Sequence, residues 1–262
     1  MSSLKIAFCF SGMIRDLKKT EYFWKQIFDN HNCDIYGHFW DVSDRSEEDN
    51  LSNFEKYFHP KKVELENFDT FKESTLDIMM KNIKVPSSLD TNLVNFLNKG
   101  TIISQYYKVY RSNQLSLCEN YDVIVRCRTD FYPESSIIFQ KNDCINLPSG
   151  GLIYVPGWKN SAANYDVFAY GNRKTMNYFS SLFLYTMSYI KTGYYFFPAE
   201  YFLKAHLAQK DIILKEIPHK FFNPNGLFFN TLSPLCDVEI PLMSTLEDPD
   251  PTFTFYNRDV QI

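Results

Sequence analysis

A carboxylate and two guanidinium groups follow one apolar run of the sequence, and together they suit a phosphorylated ligand. The stretch DVIVRCRTDFYP leads from an apolar strand pattern into Arg126, Arg128 and Asp130. A carboxylate at a strand end can hold Mg²⁺ or Mn²⁺ against a diphosphate, because hard cations prefer oxygen ligands. An arginine can also bind phosphate oxygens itself through its fork of donors. Alternation places the three side chains on one face, and a plain Arg–Asp pair that closes the strand end is the alternative.

A second set of candidate binding residues follows the first strand. In FCFSGMIR, Ser11 and Gly12 end the apolar run, and Arg15 lies in the first turn of the following helix pattern. Backbone amides at a helix N-terminus favour an anion, and glycine lets a ligand approach the backbone closely. The alternative is an ordinary strand–helix turn with Ser11 as the N-cap and Arg15 in solvent. The patterns GxGxxG and GxxxxGK are absent, so this is not a dinucleotide or Walker fingerprint.

The stretch YGHFWD gives a third strand end with polar side chains. Alternation puts His38 and Trp40 on one face, where they would frame a base or a ribose. Asp41 would then accept a hydrogen bond from a hydroxyl. The alternative is a cluster that packs and hydrogen-bonds structurally, and this is the more common outcome for a histidine such as His38.

Two carboxylates in the later half are candidate general bases. Glu200 opens a helix pattern in FFPAEYFLKAHL, and Asp166 precedes a strand pattern in NYDVFAYG. A positioned carboxylate can take a proton from an attacking hydroxyl. A helix cap is the structural alternative for Glu200, because the helix dipole stabilises a carboxylate in the first turn. His219 is a candidate late metal ligand, although a surface histidine is the more common outcome.

The helix pattern TIISQYYKVYR carries polar residues among apolar ones. Ser104 and Lys108 are one turn apart and share a face, and Gln105 is adjacent to them. We predict that Gln105 contacts the ligand, and the alternative is a polar face turned to water.

Apolar runs and helical spacing predict the elements that carry these residues. LKIAFCFSG, CDIYGHFWD and KKVELENF are typical of strands, and MIRDLKKTEYFWKQIFDN has helical spacing. A strand–helix–strand unit of this length pairs its strands in parallel. TIISQYYKVYRSNQLSLCEN predicts an amphipathic helix before the strand YDVIVRC, whereas residues 70–100 show little periodicity. In the later half, NRKTMNYFSSLFLYTMSYI and PAEYFLKAHLAQK predict helices among short strands. Ligands of open α/β sheets bind beyond the carboxyl ends of the strands, where the three polar clusters fall.

Composition limits the class of protein. The chain has 262 residues, enough for one large α/β domain, and its net charge of −4 excludes a basic field for nucleic acid. Its six cysteines form no CxxC pair, and Cys9 and Cys127 lie inside strand patterns. These features predict reduced thiols and a cytoplasmic setting. The N-terminal stretch is too interrupted for a signal peptide, and no run reaches the ~20 apolar residues of a membrane span. The aromatic helix pattern near residues 178–197 leaves a peripheral membrane contact open.

Taken in order, these stretches resemble the GT-A-type glycosyltransferases found in polysaccharide and lipopolysaccharide loci and in some large viruses. The resemblance covers roughly residues 4 to 215 and rests on FCFSGMIR, CDIYGHFWD, ISQYYKVYRSNQL, YDVIVRCRTDFYP, YDVFAYGNRKTM and FFPAEYFLKAHL. It implies a nucleotide-sugar donor against the first strands and Mn²⁺ or Mg²⁺ at a DxD-like motif. It also implies an acceptor side built by the second half of the chain.

The resemblance assigns roles to particular residues. Ser11, Gly12 and Arg15 would face the donor nucleotide, and Asp130 would stand in the family's Asp-x-Asp motif. Glu200 would match the carboxylate that opens a late helix and serves as the base in inverting members. The sequence departs from the pattern at the first Asp of the motif, where it has an arginine at position 128. This departure puts metal dependence in question.

We therefore predict a single GT-A-like, Rossmann-like α/β domain over residues 1–262, with a mainly parallel central sheet flanked by helices and a mixed C-terminal half. Residues 1–133 would bind the nucleotide sugar, residues 134–230 the acceptor, and residues 231–262 would form an irregular tail. The predicted activity is transfer of a sugar to a hydroxyl of a glycan or glycolipid. The alternatives are a nucleotidyltransferase acting on a sugar phosphate and a non-catalytic carbohydrate-binding module.

Overall fold

The computed structural model describes residues 4–42, 46–81, 100–133, 136–139, 151–156, 166–191, 199–217 and 221–222. The strands in this part of the chain are β1 (Lys5–Gly12), β2 (Asn32–Trp40), β3 (Lys62–Glu66), β4 (Val123–Cys127), β5 (Tyr132–Pro133), β6 (Gly151–Pro156), β7 (Ala169–Gly171), β8 (Ile212–Ile217) and β9 (Phe221–Phe222). Seven of them form the central sheet in the order β3-β2-β1-β4-β7-β6-β8, and β5 pairs with β9 separately.

Helices connect and cover these strands. They are α1 (Leu17–Asp29), α2 (Leu51–Phe58), α3 (Phe68–Phe71), α4 (Asp77–Lys81), α5 (Thr101–Leu115), α6 (Arg173–Ser180), α7 (Leu182–Lys191) and α8 (Ala199–Ala208). A π-helical turn (Lys72–Leu76) joins α3 to α4, and a 3₁₀ turn (Ser116–Cys118) follows α5. Within the described residues, no helix is long and apolar enough to cross a membrane.

The sheet is mainly parallel, as the sequence predicts. Strand β1 pairs in parallel with β2 and β4, and β2 pairs in parallel with β3. Strand β7 is inserted antiparallel between β4 and β6, while β6 and β8 are again parallel. The prediction of a parallel front half and a mixed back half is confirmed.

Two apolar cores lie on the two faces of the sheet, because side chains alternate along each strand. On one face, Phe8 and Phe10 of β1 pack with Trp24 of α1 and with side chains of α2. On the other face, Ala7 and Cys9 pack with α5 and with the later helices α6, α7 and α8. The result is a three-layer arrangement with the sheet in the middle. Cys9 and Cys127 are buried and unpaired, so the prediction that they act as small apolar side chains is confirmed.

The structure differs from the predicted elements in three places. Helix α2 was not predicted, although Asn50 caps it by accepting a hydrogen bond from the Asn53 amide at 2.9 Å. Residues 70–81, which fall in the predicted stretch of little periodicity (70–100), are helical. The single helix predicted after Asn172 is two helices separated at Ser181, whose hydroxyl donates to the Tyr178 carbonyl at 2.7 Å. Such a bond to the preceding turn competes with the helical pattern. The predicted tail, residues 231–262, lies outside the described residues.

Candidate functional site

The sheet brings three predicted polar clusters to one edge. Phe10 of β1 lies beside Cys127 of β4 in a parallel pair, so the segments that follow both strands emerge together. Strand β7 runs in the opposite direction, with Ala169 opposite Arg126. Because of this reversal, the residues that precede β7, including Asp166, reach the edge at which β4 ends.

The segment after β1 is fixed against the segment after β4. The amide of Arg15 donates to the Thr129 hydroxyl at 2.9 Å, and the Thr20 hydroxyl donates to the Thr129 carbonyl at 2.7 Å. Gly12 has a φ of +112°, a conformation that L side chains rarely adopt, and a Cβ there would meet no atom within 4 Å. The backbone at Gly12 is therefore open to a ligand. No pattern around Thr129 marks it, from the sequence alone, as the residue that joins the two segments.

The N-terminus of α1 is occupied by a carboxylate of the chain itself. Helix α1 begins at Leu17 after Asp16, which has a φ of +48°. The buried Asp49 accepts a hydrogen bond from the Leu17 amide at 2.9 Å. The prediction that Arg15 lies in the first turn of the helix is therefore wrong, because Arg15 precedes Leu17. The structural alternative is also wrong in detail, because the N-cap position is Asp16 and not Ser11. A ligand anion would have to share this helix end with Asp49.

Arg126 is a buried cation with an unused donor. Its side chain lies on the α5 face of the sheet beside Cys9, and only 3% of the residue is exposed. The guanidinium donates to the Cys127 carbonyl, but Nε has no hydrogen bond partner. Burial lowers the pKa of Arg126 to about 10, and the charges of Asp166 and Asp130 oppose this shift. The group still carries its positive charge at neutral pH.

Asp166 presents one unused carboxylate oxygen in the same region. Gln105 of α5 donates through Nε2 to Oδ2 of Asp166, while Oδ1 is buried and has no partner. The Ser11 hydroxyl and Nδ1 of His38, on the same face of the sheet, are likewise buried and unpaired. A buried polar atom without a partner costs about 1–3 kcal/mol, so several together indicate the position of a ligand or of ordered water.

Arg128 and Asp130 form the ion pair that was the structural alternative at this strand end. Nε and a terminal nitrogen of Arg128 donate to the two oxygens of Asp130 at 2.8 and 2.7 Å. Asp130 is 1% exposed, whereas the Arg128 side chain is 24% exposed and lies 5.4 Å from the Phe131 ring. Both carboxylate oxygens are thus bound by a guanidinium.

A divalent metal fits these surroundings poorly. Mg²⁺ and Mn²⁺ need several oxygen ligands, and Arg128 already binds both oxygens of Asp130. In the part of the chain that the structure describes, no group of three His, Cys, Asp or Glu residues could hold a metal ion. The predicted second ligand, His219, lies outside that part. Metal binding at Asp130 therefore stays a prediction, without support from the neighbouring residues.

His38 and Asp41 have structural contacts. Nε2 of His38 lies 3.5 Å from Glu64 and 3.7 Å from Glu66, and burial lowers the pKa of His38 to about 4, with Glu64 opposing. His38 is therefore neutral at pH 7. Asp41 accepts a hydrogen bond from the Phe68 amide at 3.1 Å, at the start of α3. These contacts match the structural alternative. Binding of the nucleotide-sugar donor by either residue stays a prediction.

The environment of Lys108 differs most from what the sequence pattern indicates. Its side chain is fully buried, and Nζ donates to the Phe39 carbonyl at 3.0 Å and to Glu66 at 2.9 Å. The same nitrogen lies 3.4 Å from the centroid of the Trp40 ring. Burial lowers the pKa of Lys108 to about 7, against the effect of Glu66. A polar residue that appeared to face water instead joins α5 to β2 and β3.

Glu200 lies in the first turn of α8, as the helix pattern predicts. The structure describes its backbone and not its side chain, so its role as a base stays a prediction.

Comparison with known proteins gives a distant structural likeness. No family model matches the sequence, and no curated protein matches it. The crystal structure of mouse xyloside xylosyltransferase 1 in its apo form is similar in overall structure, with a TM-score of 0.42 and 11% sequence identity over 82% of this chain and 85% of that chain. A likeness of this size says nothing about activity.

Proposed function

We propose that the protein is a glycosyltransferase that moves a sugar from a nucleotide-sugar donor to a hydroxyl of a glycan or glycolipid acceptor. The observation that supports this most is the set of unpaired buried atoms on Ser11, Arg126 and Asp166. They lie towards the edge at which the parallel strands β1 and β4 end, and open α/β sheets bind their ligands there. The resemblance of the strand ends to GT-A-type enzymes of polysaccharide and lipopolysaccharide synthesis supplies the substrate class. Cys9 and Cys127 are buried and form no disulfide, and free thiols of this kind support a cytoplasmic place of action.

The reaction that suits these residues is a displacement at the anomeric carbon. The acceptor oxygen forms a bond to that carbon while the bond to the donor diphosphate breaks, and the nucleoside diphosphate leaves with the electron pair. The acceptor proton passes to a carboxylate, either Asp166 or Glu200. Oδ1 of Asp166 is buried and unpaired, so it can accept a hydrogen bond from a hydroxyl. Arg126 and the half-buried Arg15 offset the charge that develops on the leaving group.

A ligand screen tests the substrate class. The purified protein is heated with UDP-, GDP- and dTDP-sugars and with nucleoside triphosphates, and the unfolding temperature is recorded. A shift with one nucleotide sugar supports the transferase, whereas a shift with triphosphates alone supports a nucleotidyltransferase. A protein that responds to none of them, but does respond to free glycans, would be the binding module instead.

Two amide variants test the base. Asp166→Asn and Glu200→Gln keep the side-chain shape and remove the proton acceptor, so the variant of the true base should bind the donor and lose turnover by at least about 100-fold. Asp69→Asn, which alters an exposed carboxylate of α3, is the matched control and should keep full activity. Normal turnover in both test variants would remove carboxylate base catalysis from the mechanism.

A further inference from the structure

We propose that this protein binds the diphosphate of its donor through the guanidinium groups of Arg126 and Arg128, without a divalent metal ion. The inference rests on the proposed function, since it concerns the charge of a nucleotide-sugar donor. It departs from the metal-bound DxD-like site that the sequence resemblance implies.

The first reason is the state of Asp130. This carboxylate would have to supply the metal ligand, yet the two nitrogens of Arg128 bind both of its oxygens within hydrogen-bonding distance. Asp130 is buried, whereas Arg128 is partly exposed. The geometry therefore makes Asp130 a positioning residue that holds the plane of the Arg128 guanidinium at the strand end. A guanidinium carries a second pair of N–H groups, on Nη1 and Nη2, besides the pair that binds Asp130, and such a pair is suited to bidentate binding of phosphate oxygens.

The second reason is the buried charge of Arg126. Its Nε is buried and unpaired on the α5 face, and its charge interacts with those of Arg128, Asp130 and Asp166. A metal ion placed here would be repelled by two guanidinium groups in a region of low dielectric constant. The same two groups would attract a diphosphate, and Nε of Arg126 would gain the acceptor that it lacks.

The third reason is that the neighbouring backbone leaves room for the ligand. Gly12 presents open space where a side chain would otherwise stand, and the buried Ser11 hydroxyl beside it has no partner. Thr129 ties the segment after β1 to the Arg128–Asp130 turn, so the two segments form one fixed edge. A phosphate group at this edge would meet hydroxyl and guanidinium donors together.

The test measures nucleotide affinity with and without metal. UDP, GDP and dTDP are titrated into the protein by calorimetry, first in excess EDTA and then with Mn²⁺. For the nucleotide that binds best, we expect the dissociation constant in EDTA to lie within about threefold of the value with Mn²⁺. Arg128→Met and Arg126→Met should each weaken binding by about tenfold or more, because each removes charge-assisted hydrogen bonds to the phosphate oxygens.

Arg173→Met is the matched control. Arg173 is also half-buried, but it donates to the carbonyls of Ser116 and Glu119, which precede the opposite end of β4. The Arg173→Met variant should bind the nucleotide with the same affinity as the unaltered protein. Arg126→Lys serves as a second variant if Arg126→Met does not fold, because it keeps the charge and should retain more affinity than Arg128→Met.

The outcomes separate the inference from the proposed function. Binding that disappears in EDTA and returns with Mn²⁺ overturns the inference and leaves the glycosyltransferase proposal intact. Metal-independent binding that both arginine variants retain also overturns it, because the charge would then come from elsewhere. If no nucleotide or nucleotide sugar binds under either condition, the proposed function fails as well.

Discussion

Replacement of Lys108 by methionine tests whether a buried cation joins α5 to the sheet. Lys108→Met keeps most of the side-chain volume and removes the charge and its donors to Phe39 and Glu66. Removing one partner of a fully buried pair costs about 3–5 kcal/mol. Glu66 is 30% exposed and still accepts from the Tyr107 hydroxyl, so it can be rehydrated. We therefore expect a smaller loss of unfolding free energy at neutral pH, about 1–3 kcal/mol.

The pH dependence of this loss gives the sharper test. Burial lowers the folded-state pKa of Lys108 to about 7, while the unfolded chain keeps the ordinary value of 10.5. The unfolded state binds more protons between these two values, so Lys108 makes the stability of the protein rise with pH across that window and flatten above it. From about pH 6.5 to about pH 9 the rise amounts to roughly 2.5 kcal/mol. The methionine variant lacks this contribution.

Urea denaturation of the two proteins at several pH values measures the difference. Other groups titrate in both proteins, so the difference between the two curves isolates Lys108. Lys174→Met, which alters an exposed lysine of α6, should follow the unaltered protein at every pH. Parallel curves for the unaltered protein and Lys108→Met would refute the reasoning. They would mean that Glu66 and the Trp40 ring keep the buried lysine charged throughout.

Three further predictions concern stability. Asp49→Ala removes the carboxylate that accepts from the Leu17 amide, so we expect a loss of about 1 kcal/mol and a melting temperature lower by about 2–4 °C; an unchanged melting curve would contradict that cap. Gly12→Ala should cost about 1–2 kcal/mol in urea denaturation despite the open space around it, because its φ is +112°, and a neutral result would mean that the backbone relaxes there. Burial lowers the pKa of His206 to about 3, so the contribution of this histidine to stability is complete above about pH 6.5 and is lost as the pH falls below that value. His206→Gln should therefore flatten the acid side of the curve of unfolding free energy against pH. An unaltered slope would count against burial of a neutral imidazole.

The sheet could be predicted from the sequence because its strands are short apolar runs with clear ends. The runs that end at Gly12, Trp40 and Cys127 all proved to be strands, and their order gave the parallel half. Helix α2 was missed because its eight residues are too few for a convincing helical period, and its cap at Asn50 was overlooked. Elements of this size depend on tertiary packing, in this case through Phe54 and Phe58.

The candidate site could be predicted only as a set of residues near one edge. Four residues chosen from the sequence, namely Ser11, His38, Arg126 and Asp166, have unpaired buried atoms in the structure. The role of each carboxylate could not be predicted from the sequence, because it depends on hydrogen-bond partners that only the fold brings near. Asp41 accepts a hydrogen bond from the side chain of Asn67, which precedes α3 and lies 26 positions further along the chain. The pairing of Asp166 with a glutamine 61 positions away likewise follows from the reversed strand β7.

The contact between Lys108 and Trp40 also makes Trp40 an intrinsic fluorescent reporter of the protonation state of Lys108. An indole ring with an ammonium nitrogen 3.4 Å from its centroid lies in a strong local field, and its emission changes when that nitrogen loses its proton. Of the other tryptophans, Trp24 is completely buried in the opposite core and gives a background without such a neighbour. Tryptophan fluorescence can therefore report changes in the contact between α5 and the sheet, without an attached dye, when a ligand, the pH or the pressure is changed.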